Sequence, residues 1–392
     1  MATNDGGFIG QDGLNAPDSP TGVSATAGDT QATISFTAPS DVGGSAITGY
    51  RAQSNDGIGA SGSSSPITVT GLTNGTSYTF NVWAINAFGY SAPSDASGSV
   101  TPDVLQRALF GGGYGYNTID YVDITSAGNA TDFGDLLDTA GRLGAAASTT
   151  RAIWFGGGDP SGATNVIQYV TINSTGNAVD FGDLLSTEEE MMPFSNNTRG
   201  LAAGDASANS TVIQYVTIAS TGNAADFGDM SPNIQRGAGT ANSTRGLICG
   251  GYPLGVYTNQ IQYVTIASTG NGTDFGDMTL VRARHAALAS STRAVNCGGD
   301  TTSGRTNVMD YVTIASTGNA TDFGDLTSSV AYCGATSGLT KGVIALGRDA
   351  SSDLNTIDQI TIATTANSTD FGDLSVTRRA TGATSSAHGG TQ

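Results

Sequence analysis

Cations, thiols and imidazoles are scarce in this chain. One lysine, Lys341, and fourteen arginines stand against thirty-three acids, for a formal net charge of −18. No basic cluster exists to neutralise phosphates, so a nucleic-acid partner is not expected. The three cysteines, Cys249, Cys297 and Cys333, are too few and too far apart for a disulfide framework or a CxxC metal site. Neither histidine, His285 or His388, has a cysteine or aspartate at ligand spacing, so no metal and no cofactor are expected. No apolar run approaches the roughly 20 residues of a bilayer span, and membrane insertion is not expected. The opening MATNDGGFIG lacks the charged and apolar regions of a secretory signal. Helical periodicity is also missing. What is abundant is glycine, 56 of 392 residues, without the G-X-Y period of collagen. An apolar content of 38% in regular strand-like runs argues against disorder.

A repeat governs most of the chain. Asp-Phe-Gly-Asp occurs six times, starting at Asp132, Asp180, Asp226, Asp274, Asp322 and Asp370. A tyrosine keeps the same beat at Tyr121, Tyr169, Tyr215, Tyr263 and Tyr311, with Gln359 in the sixth place. A cation recurs at Arg107, Arg151, Arg199, Arg245, Arg293 and Lys341, each followed by glycine. Each repeat reads as four short strands, as in RLGAAAS, RAIWFGGG, VIQYVTI and AVDFGDLL, with Ser-Thr-Gly-Asn turns between the last two. Four strands in 40–50 residues is the signature of a propeller blade.

These residues resemble kelch repeats over about 107–388, with phenylalanine where kelch usually has tryptophan. The resemblance implies a six-bladed kelch-like β-propeller. The region opens at Arg107 on what reads as a second strand and closes on RRATGATSSAH, which reads as a first strand. The C-terminal strand is therefore expected to complete the first blade, leaving no free sheet edge. Small-residue runs such as GAAAS and GAGTA suit crowded inner strands. The phenylalanines are expected between blades, at roughly 2 kcal/mol of burial each. The flanking aspartates are expected to serve turns and edges, the recurring arginines to be structural, and the cysteines to be reduced core thiols.

Residues 17–103 stand outside the repeat. The segments ATISFTAP, ITGYRAQS, ITVTGLT and SYTFNVWAINAFG alternate as strands. Pro20, Phe36, Pro39, Tyr50, Leu72, Tyr78 and the stretch Ala84–Gly89 resemble a fibronectin type III domain, a β-sandwich with a tyrosine corner at Leu72 and Tyr78. Phe36 takes the place of the usual tryptophan. Residues 1–16 carry isolated hydrophobes, Phe8, Ile9 and Leu14, and are read as an N-terminal arm able to dock on a partner. The whole chain is thus expected to be all-β: arm, sandwich, propeller.

No convincing catalytic constellation is present, and the chain is not expected to be an enzyme. Glu188-Glu189-Glu190 is read as a solvated charge run. In a four-stranded antiparallel blade, the two–three and four–one loops share a face. Those loops vary between repeats while the other two are uniform. The variable face supplies the candidate ligand-binding residues: Tyr114, Tyr116, Asp159, Glu189, Tyr252, Tyr257, Asp300, Arg305 and Asp349. An adhesive sandwich, a self-similar propeller and almost no lysine resemble virion structural proteins of tailed bacteriophages, such as capsid decorations, fibres and tail adhesins. That resemblance implies a particle-surface location. It also implies virion partners through the arm and sandwich, and a host-surface glycan or protein on the propeller. The alternative is a bacterial extracellular carbohydrate-binding or adhesion protein.

Overall fold

A computed structural model describes residues 15–104, 106–159, 162–205 and 210–392. Phe8, Ile9 and Leu14, the expected docking residues, lie outside the described residues. The chain divides into two compact units, Met1–Leu105 and Gln106–Gln392.

The first unit pairs a three-stranded sheet (Thr21–Gly28, Gln31–Thr37, Ile67–Thr70) with a four-stranded one (Gly59–Gly62, Gly49–Ser54, Phe80–Asn86, Gly89–Tyr90). Alternate residues of these strands are buried, so one face of each sheet closes a shared core of Ile34, Phe36, Tyr50, Val69, Leu72, Phe80 and Val82. The Tyr78 hydroxyl accepts the Thr73 N–H at 3.0 Å, the contact of a tyrosine corner. From Ser91 to Val104 the chain forms no regular strand. Ser91, Ser94 and Ser97 instead each place a hydroxyl on an N–H of the neighbouring strand, at Ala84, Val82 and Phe80. A serine every third residue thereby satisfies backbone groups that a strand would otherwise pair.

The second unit is six antiparallel sheets of four strands, two of which carry an extra two-residue strand. Five sheets are continuous in sequence. The remaining one pairs Gly382–Ser385 with Arg107–Gly111, then Thr118–Asp123 and Thr131–Asp135, so the C-terminal strand is the first strand of the sheet begun at Arg107. We call this sheet 1, and the others sheets 2 to 6 in chain order. The first strands, Gly144–Ala147, Met192–Ser195, Ala238–Ala241, Ala286–Ala289, Gly334–Ser337 and Gly382–Ser385, contact one another in cyclic order. They line a central cavity mainly with alanine, glycine, serine and threonine, residues small enough for six strands to converge, with Pro193, Phe194 and Leu288 the larger exceptions.

Three repeated contacts hold each sheet to the next. The first runs through Asp-Phe-Gly-Asp. Its second aspartate donates its N–H to the Oδ1 of the asparagine in the following sheet's Ser-Thr-Gly-Asn turn or its counterpart, at 3.0–3.1 Å in all six junctions. The same aspartate's carbonyl accepts an N–H from the residue after that asparagine. The intervening glycine lies at φ 138–150°, and a β-carbon there would strike the backbone of the incoming turn. The carboxylates play no part in this junction, and the first of each pair is exposed.

The second contact is a stack. Arg107, Arg151, Arg199, Arg245 and Arg293 lie 4.2–4.8 Å over the tyrosines of their own sheets. Each tyrosine meets its phenylalanine edge-on at 5.7–6.0 Å. Each guanidinium then donates to a carbonyl of the following sheet, from Ile172 to Ile362, at 2.7–3.1 Å. Sheet 6 replaces both partners together, Lys341 for arginine and Gln359 for tyrosine. Without an aromatic face, a planar guanidinium has nothing to stack on.

The third contact lies in the core. One position per sheet is a buried amide or carboxylate: Asp120, Gln168, Gln214, Gln262, Asp310 and Asp358. Each accepts an N–H from the end of the preceding sheet's fourth strand, at 2.7–2.9 Å. Two of the aspartates also hold fully buried arginines, Arg378 on Asp120 at 3.0 Å and Arg282 on Asp310 at 2.7 Å. Each arginine spends further N–H groups on carbonyls, which offsets the cost of burying its charge.

The C-terminus closes one end of the cavity. After Ser385 the chain turns through His388 into a short 3₁₀ turn, Gly389–Thr391, against the ends of the first strands of sheets 3 to 5. The His388 Nε2 meets Ala147 O at 2.9 Å, while Nδ1 accepts the Gly390 N–H at 3.1 Å. That pattern requires the neutral ring with its proton on Nε2. A β-carbon on Gly390 would collide with Ser195 O.

Two outcomes follow. Gly276→Ala forces an alanine to φ 142° against the Gly318 carbonyl and is expected to cost about 1–3 kcal/mol; denaturant unfolding reads this directly, and an unchanged midpoint would contradict the junction described. Burial lowers the His388 pKa to about 4, with its bond to Ala147 O opposing the shift. The unfolded ring titrates near 6.5, so the unfolded state takes up the proton first. The stabilisation is full above about pH 6.5 and is lost as pH falls toward 4. Thermal midpoints should drop across that window, and His388→Gln should flatten the drop.

Candidate functional site

At the other end of the cavity, each fourth-to-first connection brings one residue to the mouth: Arg142, Glu190, Arg236, Arg284, Tyr332 and Ala380. All six have left-handed backbones, with φ between 53° and 60°, although none is glycine. Their amides form a chain around the opening. Arg142 N–H donates to Ala380 O, Glu190 to Arg142, Arg284 to Arg236, Tyr332 to Arg284 and Ala380 to Tyr332, at 2.6–3.0 Å. Non-glycine residues held in this region gather where the surrounding structure over-determines them, often at functional sites.

The side chains of the ring form one connected network. Glu190 is shared by three guanidinium groups: its Oε2 meets Arg236 Nε, and its Oε1 lies 3.5 Å from both Arg142 Nε and Arg284 Nε. Arg142 also pairs with Glu189, and Arg284 with Asp300 at 3.4 Å. Arg305 approaches the same Asp300 at 3.6 Å. Tyr114 lies beneath Arg142 at 5.0 Å and Arg379 at 4.6 Å; Tyr332 lies beneath Arg284 at 5.0 Å. Asp353 joins Arg379 and Arg348 at 2.8 and 2.7 Å. Burial alone would lower the pKa of Arg142 and Arg284, but the acids around them outweigh it and both are raised. Burial pushes the Tyr114 hydroxyl up, with Arg142 opposing and Glu189 and Glu190 adding to it.

The distribution of arginine is uneven. Five of the fourteen clamp neighbouring sheets, two are in buried ion pairs, and Arg51 belongs to the sandwich. The other six, Arg142, Arg236, Arg284, Arg305, Arg348 and Arg379, all belong to the mouth network.

Of the residues expected from sequence, Tyr114, Glu189, Asp300 and Arg305 meet in this network. Tyr252 and Tyr257 form a pair with centroids 4.6 Å apart. The Tyr252 N–H donates to Gln235 O at 2.7 Å, next to Arg236, which places this pair beside the mouth; burial raises the Tyr257 pKa, as does Asp300, while Arg284 opposes. Tyr116 closes a turn onto Gly113 O and joins none of the mouth pairs. Asp159 ends the short strand Gly158–Asp159. Asp349 caps its own turn, accepting the N–H groups of Ser351 and Ser352 at 2.7 Å, which lowers its pKa to about 2.

The expectation for Glu188-Glu189-Glu190 is corrected by the structure. Glu188 is buried and accepts from Gln214 at 2.6 Å, and Glu190 is nearly buried at the mouth. Glu188 ends the fourth strand of sheet 2 and Glu190 is shared by three guanidinium groups, so the run does not face solvent as a loop. Sequence reasoning also passed over Arg142, Glu190, Arg236, Arg284 and Tyr332. The signal was there: all occupy the same place in the repeat, just before the small-residue strand.

Cys249 and Cys297 are buried free thiols, and burial pushes Cys297 up to about 12. Among the described residues no group of three histidines, cysteines or acids is placed to hold a metal ion, and no helix is long and apolar enough to cross a membrane.

Residues 18–99 match the family model of the fibronectin type III domain. Among solved structures, a crystal structure of titin domains is similar at 30% identity, with a TM-score of 0.22. That match covers 22% of this chain and 32% of the titin structure, so the chain spans about a third of its length. No curated protein matches.

The ring predicts its own test. Ala380→Gly relieves a left-handed alanine, a gain of about 1–2 kcal/mol partly offset by the greater freedom of glycine in the unfolded chain. The variant is expected to be as stable as the parent or up to about 1 kcal/mol more so; calorimetry showing a loss would mean the ring is unstrained.

Proposed function

We propose that this chain is a non-enzymatic display protein on the virion of a tailed bacteriophage, in which a fibronectin type III domain accompanies a six-bladed kelch-like propeller. The propeller reading is supported by six four-stranded sheets whose first strands contact cyclically, with the C-terminal strand completing the first sheet. Further support is the recurring arginine, which stacks on its own sheet's tyrosine and donates to the following sheet at five of the six junctions.

One observation carries the functional reading. The constant residues of the repeat are spent on sheet junctions, whereas six of the nine arginines free of that clamp gather with tyrosines around one cavity mouth. A stable scaffold presenting one diversified face is what recognition of a surface ligand requires. On this reading the face engages a host-surface glycan or protein. The sandwich, with the N-terminal arm, attaches the propeller to other virion proteins.

Mass spectrometry of purified particles tests the assignment. The protein is expected in the particles, and the purified chain is expected to adsorb to host cells. Tyr252→Ala combined with Tyr257→Ala should reduce that adsorption at least tenfold without lowering the thermal midpoint. Absence from particles with recovery from the culture supernatant would instead favour a bacterial extracellular adhesion protein.

A further inference from the structure

Among the described side chains, the mouth network pairs six arginines with four acids, Glu189, Glu190, Asp300 and Asp353, a local excess of positive charge in a strongly acidic chain. The donors are also unspent. Arg236 gives only its Nε to Glu190, and its two terminal nitrogens have no partner among the described residues. Glu190, 7% exposed, is one carboxylate divided among three guanidinium groups, and its Oε1 accepts no hydrogen bond. A guanidinium pairs best through two parallel N–H bonds to a carboxylate, and each of these three reaches Glu190 through its Nε alone. The mouth is an anion site that its internal carboxylate fills incompletely.

Its shape narrows the anion. The ring of six backbones leaves a cavity of about 80 Å³, enough for a carboxylate and its immediate substituents but not for a folded segment. Tyrosines flank it: Tyr332 lines the cavity, Tyr114, 37% exposed, adjoins Arg142, and the half-buried Tyr252–Tyr257 pair is tied beside Arg236 by the Tyr252 N–H on Gln235 O. Tyrosine beside arginine suits a pyranose, whose C–H face packs on the ring while its acid group meets the guanidinium.

We propose that the mouth binds a carboxylate-bearing saccharide, its carboxylate on Arg236 and Arg284 and its ring on the neighbouring tyrosines. This rests on the display reading above and names its ligand class. Two sugar families carry that group, uronic acids and nonulosonic acids, and the test separates them.

Titration calorimetry of the full chain would use trigalacturonate, an α2,8-linked sialic acid trimer, the methyl esters of both, and hexaglutamate. At least one acidic trimer is expected to bind, and to bind at least tenfold more tightly than its ester and than hexaglutamate; which trimer wins identifies the sugar. Raising the salt from 50 to 500 mM should weaken it. Arg236→Gln should weaken it at least tenfold, and Arg236→Lys, which keeps charge but not the planar fork, by less. Glu190→Gln removes the competing internal carboxylate and should tighten binding. Thermal midpoints verify that the variants fold, and the ester comparison needs no variant. Equal binding of acid and ester, preference for hexaglutamate, weaker binding by Glu190→Gln, or no binding of either trimer at millimolar concentration would overturn the proposal. If the chain adsorbs to host cells and neither trimer competes, the ligand class falls while the display reading stands. Failure to adsorb, with absence from particles, removes the display reading itself.

Discussion

The bulged glycine of Asp-Phe-Gly-Asp is the joint on which the second unit depends. At φ near 140° it opens a gap in the fourth strand, and the next sheet's turn fills it. Backbone groups that would sit at an unpaired sheet edge find partners in the neighbouring sheet. Because the same contact occurs at every junction, including that from sheet 6 to sheet 1, no sheet is left without a neighbour. The arginine stack and the buried amides then add side-chain attachment at the top and middle of the same junction.

That division of labour explains the composition. Glycine is needed at the fourth-strand joint, at the ends of second strands and in the turns. Small residues are needed where the first strands converge. Twelve of the thirty-three acids stand in the Asp-Phe-Gly-Asp copies, where the second aspartate's backbone makes the joint and the first aspartate is exposed. The net charge of −18 is therefore silent about the mouth, where arginine is in excess among the described side chains.

Much of this was legible in the repeat. Six copies on one beat give the number of sheets, the four strands and the pairing of Gly382–Ser385 with Arg107–Gly111, because each strand's place is fixed by its neighbours in the pattern. The variable loops carry Tyr114, Glu189 and Asp300 to the arginine-rich end of the cavity. Glu188 and Glu190 were misread because three adjacent acids are usually solvated. Burial here depends on Gln214 and on three arginines up to 94 residues away in sequence. The asparagine of each turn was read as local turn chemistry, yet its side chain serves the preceding sheet, a role that no single repeat displays.

By itself, the sequence determined the all-β class, the boundary near residue 105, the sandwich core and the unit of repetition, since alternation and period are properties of neighbouring residues. Only the tertiary structure decided which arginines are spent and which are free. Arg107 and Arg284 are alike in sequence. One finds a tyrosine face and a carbonyl of the next sheet, while the other is brought by a left-handed backbone to the cavity mouth. The physical reason is convergence: six positions spaced about 48 residues apart become neighbours when the sheets close cyclically, and charges that never meet along the chain then share one carboxylate.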